Sequence, residues 1–270
     1  MGQLNELRKS VLKMFATKNI EESDLDWILV SVLNIKRSET KRDRHLSVEE
    51  IKKISKLAKK RYKGFPLSQV LGVVNFYGFD FKVNKHVLSP RPETELLVEL
   101  IKNNEAGNRG LDIGTGSGAI SVGLAKLAGC KMVAVDVSRK ALRVAKKNAD
   151  NLEARVKFIR SDLFSKVGEE FDFIVSNPPY IKSGDIFYLD GEVKNHEPLL
   201  ALDGGKSGLD FYEKIIKEAP SFLVDKGRIY FEVGIGQAGE VAKLLEGEFE
   251  NITIKKDYNN IERIVMATKK

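Results

Sequence analysis

Ser176-Asn177-Pro178-Pro179-Tyr180 follows directly on Phe171-Asp172-Phe173-Ile174-Val175. The first five residues, mostly apolar with β-branched and aromatic side chains, read as a buried strand. The double proline ends it, because proline brings no N–H to a sheet ladder and holds φ near one value. Asn177 is thereby left at the carboxyl edge of a sheet, where open α/β sheets bind ligands. There the side-chain carbonyl of Asn177 and the backbone carbonyl of Pro178 can accept both hydrogens of a planar –NH2 group. Tyr180 can stack on the flat face of the same group. Two prolines capping a strand would give the same short motif, so its surroundings decide.

A second constellation lies upstream. Leu111-Asp112-Ile113-Gly114-Thr115-Gly116-Ser117-Gly118 joins an apolar strand to a helix. Glycines at such a turn let backbone approach a ligand and adopt φ values that a Cβ forbids. The spacing is G-x-G-x-G, not the dinucleotide G-x-G-x-x-G. Asp136 ends the next strand, where a carboxylate can bind both hydroxyls of a ribose. Strand, turn, helix, strand and terminal acid in this order say more than a glycine-rich turn alone.

The elements that position these residues follow from pattern. Strands are expected near 109–113, 131–135, 155–160, 171–176 and 227–233, with helices near 119–128, 138–149, 208–219 and 237–246. Two last strands, near 250–256 and 261–268, follow without a helix between them and should form an antiparallel hairpin. Read as five βα steps and a hairpin, this predicts a mostly parallel, doubly wound α/β sheet of seven strands. Ile181 to Ser207 is longer than an ordinary connection, as lids and binding loops are.

The first third differs. Leu4, Leu7, Val11 and Phe15 recur at helical spacing, and Ser23-Asp24 is read as the cap of a second helix carrying Leu25, Ile28, Leu29 and Val32. Ser47-Val48-Glu49-Glu50 is a capping box opening a third helix that stops at Gly64. These stripes predict a small helical bundle, with the charged stretch 36–46 as a connecting loop. Residues 73–83 read as a β-hairpin, and Pro90 to Glu95 as the start of a helix running to about Asn104. The expected domains are 1–72, a helical bundle; 73–90, a hairpin linker; and 91–270, the sheet domain.

Composition narrows the classes. With 42% hydrophobic and 31% charged residues the chain is that of a globular protein. Its one cysteine, Cys130, excludes an intrachain disulfide, and His45, His86 and His196 are scattered, which argues against a metal site. The N-terminus has no apolar leader-like core and no apolar run approaches membrane-spanning length, so a cytoplasmic location is expected. The net charge is +7. Residues 1–90 hold 18 Lys and Arg against 10 Asp and Glu, so the whole surplus lies there. That suits an acidic or RNA-rich partner drawn by long-range steering, or a solvated lysine-rich helix face.

The glycine turn and its acid resemble those of Rossmann-like methyltransferases that bind S-adenosylmethionine. The resemblance implies that Asp112, Gly114, Thr115, Gly116, Ser117 and Gly118 serve the methionine portion and Asp136 the ribose. Asp162-Leu163, after the third strand, would line the adenine pocket, the alternative for Asp162 being a helix or turn cap. Beside a methyl sulfonium the Asn177 turn acquires a purpose. An amide or aromatic –NH2 is a poor nucleophile, its lone pair being delocalised, and gripping both N–H bonds aims that lone pair at the methyl carbon. Asn177, Pro178 and Tyr180 are therefore the expected catalytic set, Asn177 to Tyr180 the substrate-binding one, and Asn177 is expected to touch the cofactor as well.

A closer resemblance runs from about Leu67 to Ala267. It is carried by Phe76-Tyr77-Gly78, Leu88 to Glu95, the glycine turn, Asn177 to Ile181, His196-Glu197-Pro198, Asp203-Gly204-Gly205 and Gly208 to Tyr212. Together these resemble the bacterial-type peptide chain release factor glutamine methyltransferases (the HemK/PrmC family). Ser89, where the family usually has an aliphatic residue, and a final turn at 257–263 without the usual glycine are departures. Ribosomal-protein glutamine methyltransferases are similar in the same places but tend to have Arg-Ser-Pro at Arg91-Pro92-Glu93. The resemblance implies a Rossmann-like class I fold, S-adenosylmethionine as cofactor and no metal. The implied substrate is the Gly-Gly-Gln glutamine of class I release factors, which the N-terminal helical domain would help to hold. A monomer needing no nucleic acid or membrane is expected. The alternative is a methyltransferase for adenine or guanine amino groups in nucleic acid.

Overall fold

The computed structural model describes residues 3–270; Met1 and Gly2, which open the N-terminal stretch read for a leader, lie outside the described residues. The chain divides into two units, one of residues 1–73 with 191–196, the other of residues 74–190 with 197–270.

Four helices, α1 (Gln3–Ala16), α2 (Glu22–Leu33), α3 (Val48–Tyr62) and α4 (Leu67–Leu71), build the N-terminal part of the first unit. Their stripes meet in a core of Leu4, Val11, Phe15, Leu25, Ile28, Leu29, Ile54 and Ala58. The capping box forms as expected: Glu50 N–H donates to the Ser47 hydroxyl and Ser47 N–H to Glu50 Oε2. Ser23-Asp24 does not cap α2. Glu21 precedes the helix, Ser23 donates to its carboxylate, and Asp24 receives Arg61 Nε at 2.5 Å, an ion pair that draws it into the first turn. The stretch 36–46 is also more than a loop. It contains a 3-10 turn, Arg37–Glu39, and buries Thr40 and Leu46.

The second unit begins with β1 (Val73–Phe76) and β2 (Phe79–Lys82), whose two-residue turn puts Tyr77 and Gly78 both at positive φ, as tight hairpins require. This hairpin is not a bare linker: Phe76 and Phe81 are buried in the core beside Leu97, Val98 and Ile101. Those three belong to α5 (Pro92–Glu105). There follow β3 (Arg109–Ile113), α6 (Ala119–Leu127), β4 (Lys131–Asp136), α7 (Arg139–Asn151), β5 (Val156–Arg160), β6 (Phe171–Ser176), α8 (Gly191–His196), α9 (Asp210–Glu218), β7 (Leu223–Glu232), α10 (Ala238–Leu245), β8 (Phe249–Lys256) and β9 (Glu262–Lys269).

The seven-stranded sheet has the order β5-β4-β3-β6-β7-β9-β8, with β9 antiparallel to both its neighbours and the other pairs parallel. The expected five βα steps reduce to four, since residues 161–170 join β5 to β6 through turns without a helix. One side of the sheet packs Leu111, Ile113, Ile174 and Phe231 against Tyr212, Ile215 and Val241; the other packs Phe173, Val175 and Tyr230 towards α5 and α6. Gly110 is required in β3, because a Cβ there would lie 2.2 Å from the Phe173 ring.

The segment α8 was expected to lie within the sheet domain, but it groups with the first unit. Arg61 Nη1 donates to Glu192 Oε1 at 2.5 Å, Gln69 Nε2 to the His196 carbonyl at 2.7 Å, and the Phe65 and His196 rings stack 3.9 Å apart.

Candidate active site

The strand order sets the site. From β3 the chain steps outward through β4 to β5, then returns to the other side of β3 as β6, so β3 and β6 flank the point where the winding reverses. Crevices at such points, above the carboxyl ends of strands, are where open α/β sheets take ligands. Ile113 is in register with Ser176, whose hydroxyl donates to the Ile113 carbonyl at 2.8 Å. Hence Gly114 and Asn177, the next residue of each strand, leave the sheet side by side. An open hollow lies above them, lined by Gly114, Thr115, Gly116, Ser117, Asp136, Asp162, Leu163, Asn177, Pro178 and Pro179.

The glycine turn owes its shape to positive φ. Gly114 (+74°), Gly116 (+55°) and Gly118 (+83°) all occupy the left-handed region. Gly114 and Thr115 both donate N–H to the Val135 carbonyl, at 2.9 and 3.0 Å. Asp136 binds the turn from β4: its Oδ2 accepts from Gly116 N–H at 2.9 Å and its Oδ1 from Ser138 N–H at 2.8 Å. Each oxygen keeps accepting capacity towards the hollow, which suits a pair of neighbouring hydroxyls. Burial raises the Asp136 carboxyl above the ordinary aspartate value, and the two N–H donors oppose that rise. Leu163 reaches the wall from a turn in which it holds φ at +45°. Asp162 stands on the wall beside it, and its carbonyl accepts from Ser165 N–H.

Three expected site residues do not line the hollow. Asp112 is fully buried beneath the turn, where its Oδ2 accepts from the Thr115 hydroxyl at 2.6 Å and from Ser121 N–H at 3.2 Å. Its Oδ1 has no partner, and burial pushes the carboxyl up to about 6. Gly118 is a packing position: a Cβ there would lie 3.1 Å from that of Ala145, so its absence lets α6 and α7 approach. Tyr180 stands behind the proline turn. Its ring lies against Gly234, its carbonyl accepts from Gln237 Nε2 at 3.0 Å, and burial raises its hydroxyl. Phe211, by contrast, is an aromatic wall residue; the stretch Gly208 to Tyr212 that contains it carried the family resemblance, but no site role was expected of it.

Sequence reasoning also missed the surroundings of Asn177. Its Nδ2 is directed at Thr94 Oγ1, 3.5 Å away, and Thr94 in turn donates to Glu232 Oε2 at 2.6 Å. Thr94 lies in the first turn of α5 and Glu232 at the last position of β7. Glu232 is buried, which pushes its carboxyl up to about 7, while Thr94, Arg263 and Asn177 pull it back. Leu88 to Glu95, with Thr94 in it, carried the family resemblance and marked a helix start but was given no site role, and Glu232 offered only its strand-end position.

Residues 91–189 match the family model described as the methyltransferase small domain. A protein of Chlorobaculum tepidum named release factor glutamine methyltransferase is 37% identical, covering 96% of this chain and 94% of its own. One of the same name from Geobacter sulfurreducens is 40% identical over 93% of this chain and 91% of its own. The chain belongs to the release factor glutamine methyltransferase family. Among solved structures, a Thermus thermophilus 16S rRNA N2 G1207 methyltransferase in complex with AdoMet and guanosine superposes with a TM-score of 0.54. At 18% identity, over 73% of this chain and 50% of that one, it shows the class I methyltransferase fold alone. At 96% and 93% of this chain, both alignments extend into the stretch that forms the helical first unit as well as over the sheet.

Proposed function

We propose that this protein transfers a methyl group from S-adenosylmethionine to the side-chain amide nitrogen of the glutamine in the Gly-Gly-Gln loop of class I peptide chain release factors. The observation that carries the reading is the Ile113–Ser176 register, which opens the glycine turn and the Asn177 turn into one hollow. Family membership supplies the substrate.

The residues present fit the cofactor. Asp136 offers two carboxylate oxygens to a ribose diol, Leu163 and Phe211 offer apolar surface to a purine, and the glycine turn leaves backbone free of Cβ atoms for close approach. S-adenosylmethionine supplies an electrophilic methyl carbon on sulfur. Asn177 Oδ1 and the Pro178 carbonyl hold the substrate amide by its two N–H bonds and turn its lone pair towards that carbon. As the N–C bond forms, the methyl–sulfur bond would break to leave a neutral thioether; the nitrogen gains positive charge, which the same two oxygens stabilise, and then loses a proton to solvent. Its proton becomes acidic only then, so no strong base has to act first. Tyr180 serves this reading as a support of the turn, since its ring is not on the wall.

The first unit is read as the part that holds the release factor. Lys52, Lys56, Lys59, Lys60 and Lys63 line a groove along α3 together with Phe65, a surface suited to an acidic partner. The reading includes a monomeric cytoplasmic enzyme that needs neither nucleic acid nor a membrane. Among the described residues no helix is long and apolar enough to cross a bilayer.

Mass spectrometry of a class I release factor after incubation with enzyme and S-adenosylmethionine tests the assignment. One methyl on the loop glutamine is expected. An unmodified release factor beside methylated RNA or DNA would overturn it.

A further inference from the structure

Asn177 can present either end of its amide to the hollow, and only one is useful. If the carbonyl faces the substrate it accepts an N–H; if the –NH2 faces it, two donors oppose each other. The Asn177 turn alone does not decide between them.

We propose that Thr94 and Glu232 are positioning residues that set which end of the Asn177 amide faces the substrate. The inference rests on the substrate-amide-holding role given to Asn177 above and extends it to two residues 138 positions apart.

A threonine hydroxyl has one hydrogen to give and room to accept. An ionised carboxylate only accepts, so across the 2.6 Å contact Thr94 must be the donor and Glu232 the acceptor. The Thr94 oxygen can then only accept from Asn177. That directs Asn177 Nδ2 towards Thr94, as observed, and leaves Oδ1 for the hollow. At 3.5 Å the Asn177–Thr94 contact is long, so its direction carries the argument more than its strength. Asn177 also lowers the Glu232 carboxyl by a side-chain hydrogen bond of its own, and a carboxylate can only take that bond from the Asn177 –NH2, which again leaves Oδ1 for the hollow.

Protonated Glu232 no longer imposes this direction. Its new O–H can donate to Thr94, the Thr94 hydrogen is released towards Asn177, and the amide is best satisfied with its carbonyl turned inward. The groups facing Glu232 leave this switch within reach of neutral pH. Glu93 on α5 opposes ionisation and Arg263 on β9 favours it. The Tyr212 hydroxyl of α9 donates to the Glu232 backbone carbonyl at 2.8 Å, leaving the carboxylate itself to Thr94 and Asn177. Tyr180, after β6, is neutral there, its hydroxyl raised by burial. With burial dominant, Glu232 titrates at about 7.

The test has two arms. In the first, the Glu232 carboxyl is followed by carbon-13 NMR against pH in the whole enzyme without substrate. Asn177→Ala and Thr94→Val each remove a hydrogen bond to the ionised form, so each should raise the midpoint; an unchanged midpoint in both overturns the relay. This arm holds even if release factors prove not to be the substrate. In the second arm, Thr94→Val should lower kcat by about 10- to 100-fold through misplacement of the amide, with KM for release factor little changed. Thr94→Ser, which keeps the hydroxyl, should restore most of it. Wild-type kcat should fall as pH drops below about 7, and Glu232→Gln should lose that limb. A Thr94→Val enzyme with wild-type kcat, or an acid limb retained in Glu232→Gln, overturns the proposal.

Discussion

Both walls of the hollow rest on a buried carboxylate gripped by a threonine hydroxyl at 2.6 Å, Asp112 by Thr115 on one side and Glu232 by Thr94 on the other. They differ in what is held next. Asp112 also takes Ser121 N–H, so its grip ends in backbone and stiffens the glycine turn. Glu232 works outward through Thr94 to a side chain, Asn177, whose two ends are chemically unlike. Backbone on the cofactor side has one shape to keep, whereas an amide on the acceptor side has an orientation to choose. The same pair of residue types therefore supports rigidity in one place and polarity in the other.

The contrast can be broken most forcefully at Asn177. Asn177→Ala should lower kcat by about 10²- to 10³-fold, the usual cost of one well-aimed transition-state contact. Cofactor affinity, measured by calorimetry, should stay close to wild type, because the opposite wall is untouched. Near-normal turnover would remove the acceptor role from this side.

Asp112 tests the rigid side through stability. Its carboxyl is raised from 3.8 to about 6 in the folded protein, so the folded state holds its proton more tightly than the unfolded one. The stabilisation from this group is thus complete below about 4 and is lost as pH rises towards 6, about 3 kcal/mol in all. Asp112→Asn carries no such proton. Urea unfolding at pH 4 and pH 7 should show the wild type losing about that much relative to the variant. Glu232 titrates in both proteins and cancels in the comparison; parallel profiles would refute the assignment to Asp112.

The smallest effect sharpens the contrast from the cofactor side. Asp136→Ala removes two acceptors for hydroxyls, each worth about 1 kcal/mol, and should weaken cofactor binding by about 10- to 100-fold. At saturating cofactor kcat should largely survive. A collapse of kcat with unchanged affinity would place Asp136 in the chemistry instead.

Much of this was legible along the chain. The β-branched and aromatic runs marked the strands, positive-φ glycines marked the turn, and Asp136 followed from its place at a strand end. Most of what escaped is contacts whose partners lie far apart; the burial of Asp112, held by Thr115 three residues on, is a local exception. Nothing near Thr94 points to Glu232, because sheet order brings β7 beside β6 and α5 over both. Asp112 was read as facing the cofactor, but strand alternation and the Thr115 grip turn it down into the core. Tyr180 was read as a stacking ring, and the small Gly234 opposite gave it a bed behind the turn.

The grouping of Gly191–His196 with residues 1–73 has a practical consequence for dissection. A fragment begun after Val73 looks whole by its strand pattern, yet it strips Arg61, Gln69 and Phe65 from Glu192 and His196. The severed stretch sits between Tyr188 and Leu199, two exposed apolar residues, so truncation would leave a loose, sticky loop for proteases to find.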